Sequence, residues 1–323
     1  MQPFAFKYSL IMLGMIFVLS AVSLFIGALD LSLANIWAGD YQQLAILLNS
    51  RLPRLLAILC VGAGMSVAGL IMQNLSMNKF VSPTTGSTIA SAQFGVLLSL
   101  IWFTEVSLVG KTLLAFATSM LGTWVFIYMT QRIKLKDIIM VPLIGMMLGN
   151  VISGITTHFA YSYEVMQSLD AVLVGDFSLI VSGQYEIVFL IVPLLVIAYY
   201  FANHFNIVGL GEHLSKNLGV NYQLILFLGL SIASMITASV VVTVGAIAYL
   251  GLVVPNLVAM FKGDKIQHNF IDVALFGALF VLICDMISRV VIYPYELPMN
   301  LISGVIGSGV FLFLMFQRLR GKV

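Results

Sequence analysis

The sequence predicts an all-α polytopic membrane protein of about ten transmembrane helices, on three observations. The chain of 323 residues is 61% hydrophobic and only 9% charged, with a mean hydropathy of +1.08. That is more apolar surface than one water-soluble core of this length could cover, so lipid must be the solvent. The apolar stretches also run nearly end to end, with no long polar interval and no Pro/Gly/Ser-rich linker. Finally, each stretch matches the roughly 20 apolar residues that a spanning helix needs.

In order, the predicted spans are 8–29, 54–77, 84–103, 110–131, 138–160, 185–204, 222–243, 245–261, 270–292 and 298–317. The first, Tyr8 to Leu29, is longer than a signal-peptide core and lacks a small-x-small cleavage site, so it is read as a retained helix. The second begins at RLPR, residues 51–54, because proline is tolerated in a first helical turn. The third is marginal, since SPTTGSTIASAQ is polar and rich in small residues, and the division between the seventh and eighth falls near Gly245. All of 1–323 is read as one domain.

Placing the N-terminus in the cytosol puts Lys7, Lys79, Arg132, Lys134, Lys136, Lys216, Lys262, Lys265, Arg318, Arg320 and Lys322 inside. Only Arg51, Arg54, Lys111 and Arg289 then lie outside, eleven cations against four, which fixes the orientation by the positive-inside rule. An even helix count returns the C-terminus to the cytosol. Five helices then start inside and five outside, an arrangement open to two inverted halves, although the halves share no sequence repeat.

Several chemistries find no residues to carry them. A net charge of +2 over so many spans is no nucleic-acid signature. Cys60 and Cys284 lie apart inside apolar segments, so neither a disulfide framework nor a metal site is predicted, and 17 methionines read as adaptable packing. No HExxH, His/Cys cluster or nucleophile–base spacing occurs, and no catalytic residue is assigned. Intramembrane ionisable groups are scarce: Asp285 has Arg289 four residues on, and a lone His158 on an apolar helix reads as a packing residue. That scarcity disfavours an ion-coupled carrier, the competing class, and a membrane enzyme still more.

Three stretches remain. Arg51 and Arg54 would oppose the macrodipole at a helix N-terminus and break the charge bias of the chain; they either snorkel to lipid phosphates or meet external carboxylates. NIVGLGEHLSKNLGVNY, 206–222, is polar, with Leu210, Leu214 and Leu218 recurring every four residues; by itself it reads as a solvated connection with a helical turn or as an interaction element. In QNLSMNKFVSPTTGST, Pro83 and Gly86 interrupt a helix at a depth where irregular backbone must be covered by protein or line a cavity, unless it is a plain loop. Small residues in GAGMSVAG and SGVIGSG permit close helix approach, within the chain or at a subunit seam.

RLPRLLAILCVGAGMSVAGLIMQNLSMNKFVSP, GAIAYLGLVVPNLVAMF and YELPMNLISGVIGSGVFLFLMFQR, in that order, resemble the FecCD-type permeases of bacterial iron-siderophore and vitamin B12 ABC importers. NKFVSPTT and GDFSLI look most like permeases for ferric catecholate or petrobactin-type siderophores. The resemblance implies a multi-pass subunit of the bacterial inner membrane that pairs with a second permease, identical or homologous, and with two ATPases. A substrate-binding protein would dock outside on Arg51, Arg54 and Arg289. The loop 206–222 would be a pair of short coupling helices gripped by the ATPase, with Leu210, Gly211, Glu212, Leu218 and Gly219 as its core. Asn78, Phe80 and Pro83 would form an inner gate, with Gly145 and Gly149 near a second constriction, although Lys79 stands where many relatives carry proline. The chain has no GxxxxGK[ST] phosphate loop, so ATP and Mg²⁺ would belong to the partner ATPase and no cofactor to this chain. Iron would cross inside its chelator; a vitamin B12 or haem cargo is the alternative within the family.

Overall fold

The computed structural model describes residues 3–27, 32, 37, 39–102, 107–133, 140–183, 185–263 and 266–319, with the side chains of 3–7, 268 and 317–319 left aside. Lys134, Lys136, Lys265, Arg320 and Lys322, which carry part of the orientation argument, lie outside the described residues. The helices in chain order are α1 (Pro3–Phe25), α2 (Tyr41–Ile46), α3 (Leu52–Leu75), α4 (Thr88–Trp102), α5 (Leu108–Arg132), α6 (Met140–Ser162), α7 (Met166–Leu173), α8 (Ile191–Val208), α9 (Glu212–Asn217), α10 (Tyr222–Thr243), α11 (Leu250–Lys262), α12 (Ile266–Val290) and α13 (Met299–Leu319).

By length and composition, eight helical runs qualify as membrane spans, and α4 and α11 are shorter apolar helices. Each predicted segment coincides with one of these ten runs. At 1.5 Å per residue α4 and α11 cover only about 20 Å of the ~30 Å hydrocarbon layer. Irregular backbone extends both. Residues 76–87 precede α4 and 244–249 precede α11, and Val81, Ser82, Ser87, Val244 and Ile247 there are buried.

The central element is α3, whose faces are covered by α8, α10, α11 and α12. Small residues allow this. A Cβ on Gly69 would fall within the carbonyl group of Gly251 on α11, and one on Gly62 would lie 2.6 Å from the Gly277 carbonyl oxygen on α12. GAGMSVAG therefore seats two helix crossings inside the chain. SGVIGSG is divided: Gly307 abuts Tyr249, while Gly304 and Gly309 meet nothing within 4 Å. A second layer, α4 on α5 and α6 on α4, is tied within itself by the Thr88 and Thr123 hydroxyls at 2.7 Å and joins α10 where the Ser119 hydroxyl of α5 donates to the Ser234 carbonyl at 3.2 Å.

The second span does not begin at RLPR. The chain is helical without interruption from Tyr41 to Leu75, and Leu47–Arg51 forms a π-helical turn in which the Leu52 amide bonds to the Leu47 carbonyl. Pro53 cannot donate to the Asn49 carbonyl four residues earlier; that oxygen accepts instead from the Ser182 amide at 3.1 Å. Arg51 and Arg54 thus sit inside a helical run, and the macrodipole argument drawn from a helix start at this point is corrected.

Candidate functional site

The residues singled out in the sequence gather at the two ends of α3. Arg54 and Asn74 are twenty positions apart, about 30 Å along the axis.

At the arginine end all three guanidinium groups are buried: Arg51, Arg54 and Arg289 are 9%, 7% and 3% exposed. Arg54 bonds to Asp285 through Nη2 at 2.8 Å and Nε at 3.1 Å, and to Glu296 through Nη1 at 2.7 Å. Arg289 pairs with the other Asp285 oxygen and donates to Ser23 Oγ at 2.7 Å and to the Ser23 and Ile26 carbonyls at 3.0 Å. Arg51 also donates to the Ile26 carbonyl. The last carbonyls of α1, which have no partners within their own helix, are thus capped by cations, the favourable sign at a C-terminus. One carboxylate, Asp285, holds arginines from two helices. The sequence shows its i,i+4 relation to Arg289; the link to Arg54 joins positions 231 residues apart and leaves no local signal. Glu296, in the YELP stretch, is the second carboxylate and was not picked out.

At the loop end, 206–222 contains one short helix, α9, where a pair is expected. Gly211 and Gly219 bracket it with φ of +100° and +75°, left-handed conformations that side-chain-bearing residues rarely adopt. The Ser215 hydroxyl donates to the Gly211 and Ile207 carbonyls at 2.7 and 3.0 Å, folding α9 back on the end of α8. Leu210, Leu214 and Leu218 are all more than half exposed. Glu212 and Lys216 pair at 2.8 Å across one helical turn, and this hydrogen bond and charge hold the Glu212 carboxyl below its usual range.

The stretch 76–87 lies at the same end. Asn78 caps its own turn by accepting from the Phe80 amide at 2.9 Å, and Phe80 meets Phe311 of α13 edge-on, ring centres 6.1 Å apart. Asn256 of α11 donates to the Lys79 carbonyl at 2.8 Å, and Pro83 packs against Gly251. A Cβ on Gly145 of α6 would strike the Thr85 carbonyl and lie 2.9 Å from the Phe126 ring, and one on Gly149 would lie 3.8 Å from Ser87. The two stretches separated by some sixty positions in the sequence are therefore in contact. Phe311 and Asn256 complete this cluster and carry no signal in the sequence.

The profile of the FecCD transport family matches residues 15–317. The chain belongs to the FecCD transport family. Among relatives of this FecCD chain, the petrobactin import system permease protein YclN of Bacillus subtilis (strain 168) is 44% identical over 304 residues, 94% of this chain and 96% of the relative. The ferric-anguibactin transport system permease protein FatD of Vibrio anguillarum (strain ATCC 68554 / 775) is 36% identical over 301 residues, 93% and 96% of the two chains. A solved structure described as an inward-facing conformation of a metal-chelate type ABC transporter superposes with a TM-score of 0.82 at 25% identity, covering 96% of this chain and 99% of that one. The FecCD chain is accordingly a multi-pass membrane transport protein, with eight helical runs long and apolar enough to cross a membrane.

Proposed function

We propose that the chain is the transmembrane permease subunit of an ATP-driven bacterial importer of ferric siderophores. The observation that carries this reading is the 44% identity, nearly end to end, with a petrobactin import permease. In this reading the chain makes ten alternating crossings of the cytoplasmic membrane with both termini in the cytosol, the first five-helix half starting inside and the second outside. A second permease subunit, identical or homologous, completes the pathway. Two ATPases bind ATP and Mg²⁺ below, and the chain itself catalyses nothing.

The exposed leucines of 206–222, with Gly211, Glu212 and Gly219 shaping the loop, form the surface gripped by the ATPase. Asn78, Phe80 and Pro83, closed on by Gly145 and Gly149, form the inner gate. A binding protein docks on the opposite face. Because Arg51, Arg54 and Arg289 are engaged within the chain, they act there by holding the end of α1 and the 291–297 loop in place, and by the field they project. Three cations against Asp285 and Glu296 leave one unit of positive charge, which steers an acidic partner and fixes its register.

Reconstitution tests the reading. With its ATPase and binding protein in proteoliposomes, the chain is expected to accumulate ferric petrobactin only when ATP is supplied. Accumulation on an imposed proton or sodium gradient, with neither partner present, would identify an ion-coupled carrier and overturn the proposal.

A further inference from the structure

We infer that motion of the coupling loop reaches the inner gate through the last turn of α3, with Asn74 and Met77 as the contact residues; this rests on the reading of 206–222 as the ATPase-gripped element. The loop backbone lies directly on α3. Gly209, whose amide closes α8 on the Phe205 carbonyl at 2.9 Å, has no side chain because a Cβ there would lie 2.6 Å from Asn74 Oδ1 and 3.3 Å from the Asn74 carbonyl oxygen. Two residues on, a Cβ on Gly211 would sit 3.9 Å from Met77 Sδ.

Met77 is aimed at the loop by its backbone. Its φ of +52° is left-handed without being glycine, and the turn is pinned by the Met77 amide on the Asn74 carbonyl at 3.0 Å and the Asn78 amide on the Gln73 carbonyl at 2.9 Å. The turn leaves Met77 59% exposed and the next residue, Asn78, only 4%. Beyond that point every step is short and held. Asn78 fixes Phe80, Phe80 meets Phe311, the Lys79 carbonyl is tied to Asn256, and the Thr85 hydroxyl donates to the Phe80 carbonyl at 2.9 Å while its own carbonyl underlies Gly145.

On the other side, α3 is buried without a break from Gly64 to Gln73, so close packing braces it against a displacement from the loop. A push on Gly209 or Gly211 is therefore delivered to the segment 78–85, not dissipated along the helix. Asn74 and Met77 are positioning residues: they touch neither cargo nor nucleotide.

A size exchange in the complete importer in proteoliposomes tests this, with substrate moved per ATP hydrolysed as the readout. Gly209→Ala alone and Asn74→Ala alone are each expected to lower that ratio about tenfold, as contacting pairs couple, with the ATPase still bound. The double variant, in which the new methyl fills the space the amide leaves, is expected to recover at least about half. An unchanged ratio in the single variants, or losses that simply add in the double, would overturn the inference. If Gly209→Ala does not assemble, Met77→Ala decides: a lowered ratio upholds the contact and an unchanged one removes it. Leu214→Glu addresses the underlying reading separately, because retention of the ATPase by that variant would show that the loop is not what the ATPase grips.

Discussion

Asp285→Ala is expected to destabilise the protein by about 3–5 kcal/mol, the cost of leaving buried cations without their counter-charge. Asp285 is fully buried and its two oxygens are divided between Arg54 and Arg289, so one substitution takes a counter-charge from guanidinium groups on α3 and α12 together. Arg54 would keep Glu296, which is 23% exposed and in a more solvated position, and Arg289 would keep only neutral acceptors on α1. The melting temperature of the detergent-solubilised protein measures the effect, and low recovery from membranes is the expected first sign. The comparison that isolates the cause is the triple variant Asp285→Leu, Arg54→Met, Arg289→Met. Removing the charges together takes away the desolvation cost along with the attraction, so the triple variant should melt above Asp285→Ala. If it melts lower, packing and not charge accounts for the loss.

The second large effect is expected at the crossing of α3 and α11. Gly69→Ala places a methyl inside the backbone of Gly251, which has no rotamer to move, so the helices must part; overpacking of this kind costs about 1–3 kcal/mol and more where backbone is met. Gly154→Ala on α6 is the control, since nothing lies within 4 Å of the added carbon and alanine is the better helix former. Fluorescence-detected size exclusion after mild heating should separate the two variants clearly. Equal behaviour would mean that the crossing of α3 and α11 tolerates a methyl group.

Most of the helices were legible because a span in lipid must be long, apolar and internally hydrogen-bonded, and such runs are visible in any window of the chain. The boundaries were misread where that logic weakens. YQQLAILLNS mixes polar and apolar residues and Pro53 follows, so the sequence suggests a helix start at RLPR; only a π turn and a distant amide allow the helix to run through. The arginines stood out as charges in the wrong place. The pairing of Asp285 with Arg289 was legible from their spacing, but its link to Arg54 was not, because Asp285 reaches Arg54 through the packing of α12 on α3, a contact with no local pattern. The same holds for the cluster at the loop end: Pro83 and Gly145 could be noticed singly, while the meeting of their two stretches depends on α6 lying against 85–87.

Pro53 has a further consequence for the arginine end of the molecule. A proline in a helix ordinarily wastes one rung of the ladder; here the vacated oxygen of Asn49 becomes a mooring for the 181–183 turn through the Ser182 amide, beside the Gly183 amide that Glu186 holds at 2.7 Å. The imino acid thus turns a helical defect into a tether between two distant parts of the chain, and the shape of the rim around the arginines depends on a side chain that makes no hydrogen bond of its own.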